Sequence, residues 1–219
     1  MPGDAAATFL FADIAGFTAL TEAHGDEQAV QVVEQFATAV QAELPRIAGE
    51  CVKTVGDALM LRVPDPADAV RLGLWITHNA MSGHNAPTVR VGGNHGPAIE
   101  RSGDYFGTTI NVAARVSALA AGGELLVTAH TAALAPDLDG VLYESRGRQV
   151  LRNVGEAVEI FAVLRLDETA EHLAIDPVCQ MAVDTERAVG RLVLDDKAYY
   201  FCSLTCAAAF GQHPERYAD

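Results

Sequence analysis

The chain has 219 residues and a formal net charge of −14, a length that fits one large domain or one domain with a small appendage. Its composition, 50% hydrophobic and 20% charged, allows a substantial core, while the acidic balance works against nonspecific partners such as nucleic acid or an anionic membrane, which need basic surface. No apolar run approaches the roughly 20 residues of a membrane span, and the N-terminus shows no basic segment followed by an apolar one, so a cytoplasmic protein with no membrane or nucleic-acid partner is expected.

Ala7 to Ile14 reads as a buried strand, with Phe9, Leu10, Phe11 and Ile14 supplying β-favouring bulk. From Phe17 to Leu44 the apolar positions Ala29, Val32, Val33, Phe36 and Val40 recur at helical spacing. His24-Gly25 interrupts them, Asp26 is suited to cap a second helix, and Pro45 lies just past its end. Glu50 to Val63 predicts a hairpin turning at Val55-Gly56-Asp57, broken by Pro64-Asp65-Pro66. Ala67 to Met81 predicts a helix with Val70, Leu74 and Trp75 inward, and Val89 to Ile99 a strand weakened by Gly92, Gly93 and Gly96. A further helix follows Gly107, then a short strand over Glu124 to Thr128. Strand candidates at Val141-Leu142-Tyr143, Val150-Leu151 and Val158 to Leu164 complete this part, with a turn near Asn153-Val154-Gly155. Long helices among strands and hairpins predict an α+β sandwich, helices packed on a mainly antiparallel sheet.

Three stretches carry polar residues where packing does not need them. Asp13 and Asp57 each end an apolar strand beside a glycine, where a carboxylate is costly unless paired or bound to a cation. Each alone reads more readily as a cap or turn residue. Brought together they would repel unless cations lay between them, and hard divalent metals prefer such oxygens. Gly16 lets backbone approach a ligand, with a helix start behind it. Asn111 and Arg115, four apart, project from one helical face. They suit phosphate and a ring or ribose oxygen, although a buried Arg paired with a carboxylate is the plainer alternative.

Thr8-Phe-Leu-Phe-Ala-Asp-Ile-Ala-Gly-Phe-Thr18, Lys53-Thr-Val-Gly-Asp57 and Gly103-Asp-Tyr-Phe-Gly-Thr-Thr-Ile-Asn-Val-Ala-Ala-Arg115 together resemble the class III nucleotide cyclases, in the family's order and at its spacing, over roughly residues 8 to 164. The resemblance implies a ferredoxin-like core, a catalytic domain over residues 1 to 165, and turnover of ATP to 3′,5′-cyclic AMP and pyrophosphate. It makes Asp13 and Asp57 ligands of two Mg²⁺ or Mn²⁺ ions per site, one activating the ribose 3′-hydroxyl and the other holding the triphosphate. Gly16, Phe17 and Thr18 would face the phosphates.

By the same resemblance Lys53, four before Asp57, and Asp104, seven before Asn111, read the adenine edge: an ammonium donates to N1 and a carboxylate accepts from the N6 amine. Guanine reverses that pattern, and a mismatch of buried polar groups rejects strongly, so ATP is expected over GTP. For Lys53 a solvated strand position is the bland alternative. Asn111 would orient the ribose and Arg115 would stabilise charge on the transferring phosphorus. One departure stands out. Some relatives carry an arginine after the segment that reads Asn94-His95-Gly96 here, and this chain has Pro97. Arg152 matches, loosely, another basic position used for phosphate. The family's sites are shared between subunits, which implies a homodimer with two equivalent sites.

The C-terminal end is a different unit. Residues 166 to 175 are polar and helix-compatible, a candidate linker. Asp176-Pro-Val-Cys-Gln-Met-Ala-Val-Asp184, Ala198-Tyr-Tyr-Phe-Cys-Ser-Leu-Thr-Cys206, Phe210, His213-Pro214 and Tyr217 resemble the YHS domain, a small α+β module related to the metal-binding TRASH motif, over residues 176 to 219. Cys179 and Cys202 are separated by 22 residues, and Cys202 and Cys206 by three. That spacing places the last two on one face of a helix. Three such thiols suit Zn²⁺ or another soft metal, with His213 or solvent as candidate fourth ligand, and a metal would help hold so small a core. Small buried apolar cysteines are the alternative, and core packing is the better reading of Cys51. Two accounts of the whole chain follow: an adenylate cyclase modulated by metal or redox state at the C-terminal module, or a non-catalytic metal-binding or interaction protein on a cyclase scaffold. Guanylate cyclase is a further alternative.

Overall fold

A computed structural model describes residues 6–81, 86–166 and 173–218. Its organising strand is β1 (Ala7–Ile14), which alternates its side chains between two apolar layers. Leu10, Ala12 and Ile14 face one layer, and Ala7 and Phe9 the other. Phe17–His24 forms α1 and Asp26–Glu43 forms α2, whose Ala29, Val32, Phe36 and Val40 recur on the buried stripe. Asp26 does not cap α2. Gly25 holds that position with φ +88°, and Asp26 lies in the first turn without a side-chain cap bond, where its charge meets the helix dipole instead.

The hairpin runs β2 (Glu50–Val55) to β3 (Ala58–Val63). Asp65 accepts from the N–H groups of Ala67 and Asp68 and so starts α3 (Pro66–Asn79). A two-residue β4 (Ala86–Pro87) precedes β5 (Val89–Gly96). The strand expected to reach Ile99 stops at Gly96, and Ile99 opens a separate hairpin, β6 (Ile99–Arg101) with β7 (Asp104–Phe106). Then come α4 (Thr108–Ser117), β8 (Leu125–Thr128), α5 (Ala129–Leu134), β9 (Val141–Gln149) and β10 (Val158–Arg165). Val150-Leu151 is not strand. Val150 is exposed in the β9–β10 loop, and Leu151 turns inward against Val112, Val116 and Ile160.

Among the described residues the main sheet has seven strands in the order β2-β3-β1-β5-β8-β10-β9. Every neighbouring pair is antiparallel except β5 with β8. Its first four strands and the helices between them make the ferredoxin-like arrangement. Helices α2 and α3 cover one face, and α4 lies on the other. The approach of α4 is close: a Cβ on Gly92 would stand 1.9 Å from the backbone nitrogen of Ser117, so only glycine fits there.

The C-terminal module is built from β11 (Leu173–Ile175), β12 (Met181–Asp184), β13 (Gly190–Leu194), β14 (Lys197–Phe201) and α6 (Leu204–Gln212). Leu173–Ile175, inside the stretch read as a linker, is therefore strand, paired with β12. Residues 167–172 of that stretch lie outside the described residues. On its other side β12 pairs with β4, and Val178, Cys179, Phe201 and Phe210 share one buried cluster with Leu10, Phe36 and Val70. The module and the large unit have a common core.

Candidate active site and thiol cluster

Register sets the acidic centre. On β1, Asp13 lies opposite Ala58 of β3 on one side and Arg90 of β5 on the other. Asp57, in the turn just before Ala58, is thereby brought beside Asp13, close enough for the two carboxyls to interact. Burial, followed by that contact and the charge of Asp13, pushes Asp57 up to about 6. Arg90 donates from Nε to Asp13 Oδ2 at 2.8 Å and from Nη2 to the same oxygen. Sequence reasoning did not single out Arg90; its only signal was a cation within a strand, and cross-strand register decides what it faces.

Gly16, in the left-handed region at φ 68°, turns the chain from Asp13 into α1, so Phe17 and Thr18 form the first turn of a helix beside the carboxylates. The first N–H groups of such a helix have no intrahelical acceptor. On the other side of Gly16 there is no space, since a Cβ there would stand 2.4 Å from Cγ of Gln180 in the C-terminal module.

Lys53 and Asp104, 51 residues apart, meet as an ion pair, with Nζ 2.6 and 2.8 Å from the two carboxylate oxygens. The β6–β7 hairpin delivers Asp104 to β2, anchored by Tyr105, which packs its ring 5.3 Å from Phe9 and donates its hydroxyl to Glu50 at 2.9 Å. The Lys53 contact, reinforced by the Tyr105 N–H, holds the Asp104 carboxyl below the usual carboxylate range. Asn111 and Arg115 are exposed on α4, opposite its buried Val112, Ala113 and Val116. Arg115 has no ion pair among the described residues, so the buried-pair alternative is not realised. Arg152 is exposed in the β9–β10 loop, and no hydrogen bond joins it to the other candidate residues. Pro97 serves structure: its carbonyl accepts from Thr109 Oγ1 at 2.6 Å at the start of α4.

The three C-terminal thiols converge. Cys179 Sγ is 3.4 Å from Cys202 Sγ, which is 3.7 Å from Cys206 Sγ. Cys202 is not on the helix; it precedes the cap Ser203, whose side chain accepts from the Cys206 N–H and folds the two thiols together. Asp176, fully buried, accepts from Val178 N at 2.9 Å and Cys202 N at 2.8 Å, which locks the Cys179 turn to the Cys202 loop. The neighbouring Cys179 and Cys202 thiols drive Cys206 down, while Cys179 is pushed up. The fourth group present is His24, the last residue of α1, with Nε2 3.6 Å from Cys202 Sγ. His213 is exposed instead, 3.2 Å from Glu215. No sequence spacing links His24 to cysteines more than 150 positions away, so only the fold could show it.

The adenylate and guanylate cyclase catalytic domain model matches residues 2–164, and the YHS domain model matches residues 174–219. The pH-sensitive adenylate cyclase MT1302 of Mycobacterium tuberculosis is 34% identical over 168 residues, 75% of this chain and 42% of that protein. An adenylate cyclase of Streptomyces coelicolor is 34% identical over 117 residues, 53% of this chain and 31% of that protein. The chain thus spans less than half the length of either relative. An adenylate cyclase from Trypanosoma brucei, solved in its monomeric state, superposes with a TM-score of 0.65 at 25% identity, covering 73% of this chain and 89% of that one. The adenylyl cyclase CyaB of P. aeruginosa gives 0.63 at 22% identity, covering 75% and 95%. The α+β sandwich is the fold they share. The chain belongs to the adenylate and guanylate cyclase catalytic domain family and carries a YHS domain behind that catalytic domain.

Proposed function

We propose that the chain converts ATP to 3′,5′-cyclic AMP and pyrophosphate as a homodimer, each site combining Asp13 and Asp57 of one copy with Lys53, Asp104, Asn111 and Arg115 of the other. The observation that carries the reading is the strand register that sets Asp13 opposite Ala58 and Arg90 and so brings Asp57, in the turn before Ala58, beside Asp13, where burial and that neighbour push the Asp57 carboxyl up to about 6. Such a pair is completed by a proton or by cations, and its oxygen donors fit Mg²⁺ or Mn²⁺. When bound, two such ions supply an acidified ribose 3′-hydroxyl and neutralisation of the triphosphate.

The chain's own groups do the rest. Backbone N–H groups after Gly16 face the phosphates, a task that weighs more on backbone because Pro97 stands where some relatives have arginine; Arg152 is the remaining basic candidate. The Lys53–Asp104 pair opens to receive adenine, Lys53 donating to N1 and Asp104 accepting from the N6 amine. Guanine presents a carbonyl and an N1–H in those places and leaves both groups mismatched. Asn111 orients the ribose. The 3′-oxygen forms its bond to the α-phosphorus, the bond to pyrophosphate breaks, and Arg115 stabilises the charge gathered on the phosphoryl oxygens. Exposure of Asn111 and Arg115 on α4, with the apolar side chains of Phe106 and Val55 also half-exposed, suits a surface completed by a second copy. Relatives named adenylate cyclase support the choice of ATP. The C-terminal module is proposed to adjust the site with metal or redox state.

The test is product formation by purified chain with Mn²⁺ and either ATP or GTP. Cyclic AMP from ATP is expected, with GTP a far poorer substrate and Asp57→Ala inactive. A preference for GTP overturns the base assignment; no product from either leaves the scaffold reading.

A further inference from the structure

We propose that His24 is the fourth ligand of a Cys₃His site with Cys179, Cys202 and Cys206, so that one Zn²⁺-class cation joins the catalytic domain to the C-terminal module. The four donor atoms lie within 4.8 Å of one another. Ideal tetrahedral coordination, with Zn–S of about 2.3 Å and Zn–N of about 2.0–2.1 Å, spaces neighbouring donors roughly 3.5–3.8 Å apart. The separations of 3.4, 3.6 and 3.7 Å around Cys202 lie close to that spacing. No disulfide links these thiols, and the three cysteines are buried. The donors are soft sulfur plus imidazole, a set that selects zinc and similar thiophilic ions over Mg²⁺. Buried Asp176 holds two of the cysteine loops from behind, an outer hydrogen-bonding shell of the kind that fixes ligand loops.

The consequence follows from where His24 sits. Helix α1 is eight residues long, about 12 Å at 1.5 Å per residue. His24 ends it and Gly16 begins it, so the helix spans from the thiol cluster to the loop beside Asp13. The module touches both ends, through Gln180 packed on Gly16 and through the cluster at His24. Thr88 adds a third tie: its hydroxyl donates to the Gln180 carbonyl at 3.1 Å, while its own carbonyl accepts from Ala15 N at 2.9 Å. A cation at the cluster therefore fixes the position of α1. The site's existence is independent of whether the chain turns over ATP.

The experiment uses full-length chain, stripped of metal under reducing conditions and then titrated with Zn²⁺ and with Co²⁺. One equivalent is expected to bind, with Co²⁺ giving thiolate charge-transfer and tetrahedral d–d absorption. His24→Ala and His24→Gln, checked for folding by circular dichroism, should each weaken Zn²⁺ binding at least as much as loss of an outer-shell partner does, by about 10–100-fold or more, while His213→Ala leaves it unchanged. Hydrogen exchange should slow in residues 17–24 when the wild type takes up Zn²⁺, and not in the folded His24 variants. Failure of the reduced wild type to bind a stoichiometric ion overturns the site. Unchanged affinity in both His24 variants, or loss of affinity in His213→Ala, overturns the assignment of His24.

Discussion

At the scale of single residues, burial and pairing decide which charges are poised. His95 lies on β5 with Nδ1 3.0 Å from the Thr8 hydroxyl and its ring 6.0 Å from that of His130. Burial, then the charge of His130, lowers its pKa, opposed weakly by Asp65. A histidine whose folded pKa lies below its ordinary value of about 6.5 favours folding in its neutral form. The stability it contributes is present above about pH 6.5 and is lost as the pH falls from there through the lower folded value. Thermal midpoints of wild type and His95→Gln, followed from pH 7.5 to 5, should converge as the solution is acidified; parallel curves would show that His95 has no such role. The acidic pair at Asp13 and Asp57 could be picked out in the sequence, because each carboxylate ends an apolar strand. Arg90 and His24 could not. Arg90 faces Asp13 through strand register, and His24 meets the thiols through tertiary packing, and neither relation leaves a trace in spacing.

At the scale of elements, periodicity gave helices and strands well where one face is apolar. α2 and α3 are examples, with Val32, Phe36, Val70 and Leu74 on their buried stripes. Periodicity failed where chain geometry, not pattern, sets the boundary. Gly25 took the cap that Asp26 was suited for, and Ile99 left the strand its apolar neighbours suggested, because the β6–β7 hairpin carries Asp104 across to Lys53. Cys202 and Cys206 have helical spacing but straddle the cap of α6. The glycines of β5 likewise weaken a strand on paper yet are needed in the fold. Helix α4, which carries Asn111 and Arg115, rests directly on Gly92. Gly92→Ala forces a methyl into the Ser117 backbone, and overpacking of this severity should cost about 3 kcal/mol or more. Denaturant titration measures it, and a loss under about 1 kcal/mol would mean that α4 can move away freely.

At the scale of the whole molecule, the proposed sites need two copies, and symmetry makes that claim quantitative. Asp57→Ala removes a group from one half of each site and Arg115→Ala from the other, so each variant alone should be inactive. Mixed in equal amounts and allowed to exchange, half of the dimers are heterodimers, each with one of two sites intact. Activity should return to about a quarter of wild type. No recovery after proven exchange would exclude shared sites.

The common core has a thermodynamic consequence. Phe201 and Phe210 are buried in the same cluster as Leu10 and Phe36, and β12 is hydrogen-bonded to β4, so neither unit can melt without exposing the other's interior. Scanning calorimetry should record a single endotherm, and withdrawing a cation from the proposed Cys₃His site should shift all of it to lower temperature instead of splitting off a small early peak. A chelator would then act as a denaturant of the cyclase domain, although it removes no atom from that domain's own sheet.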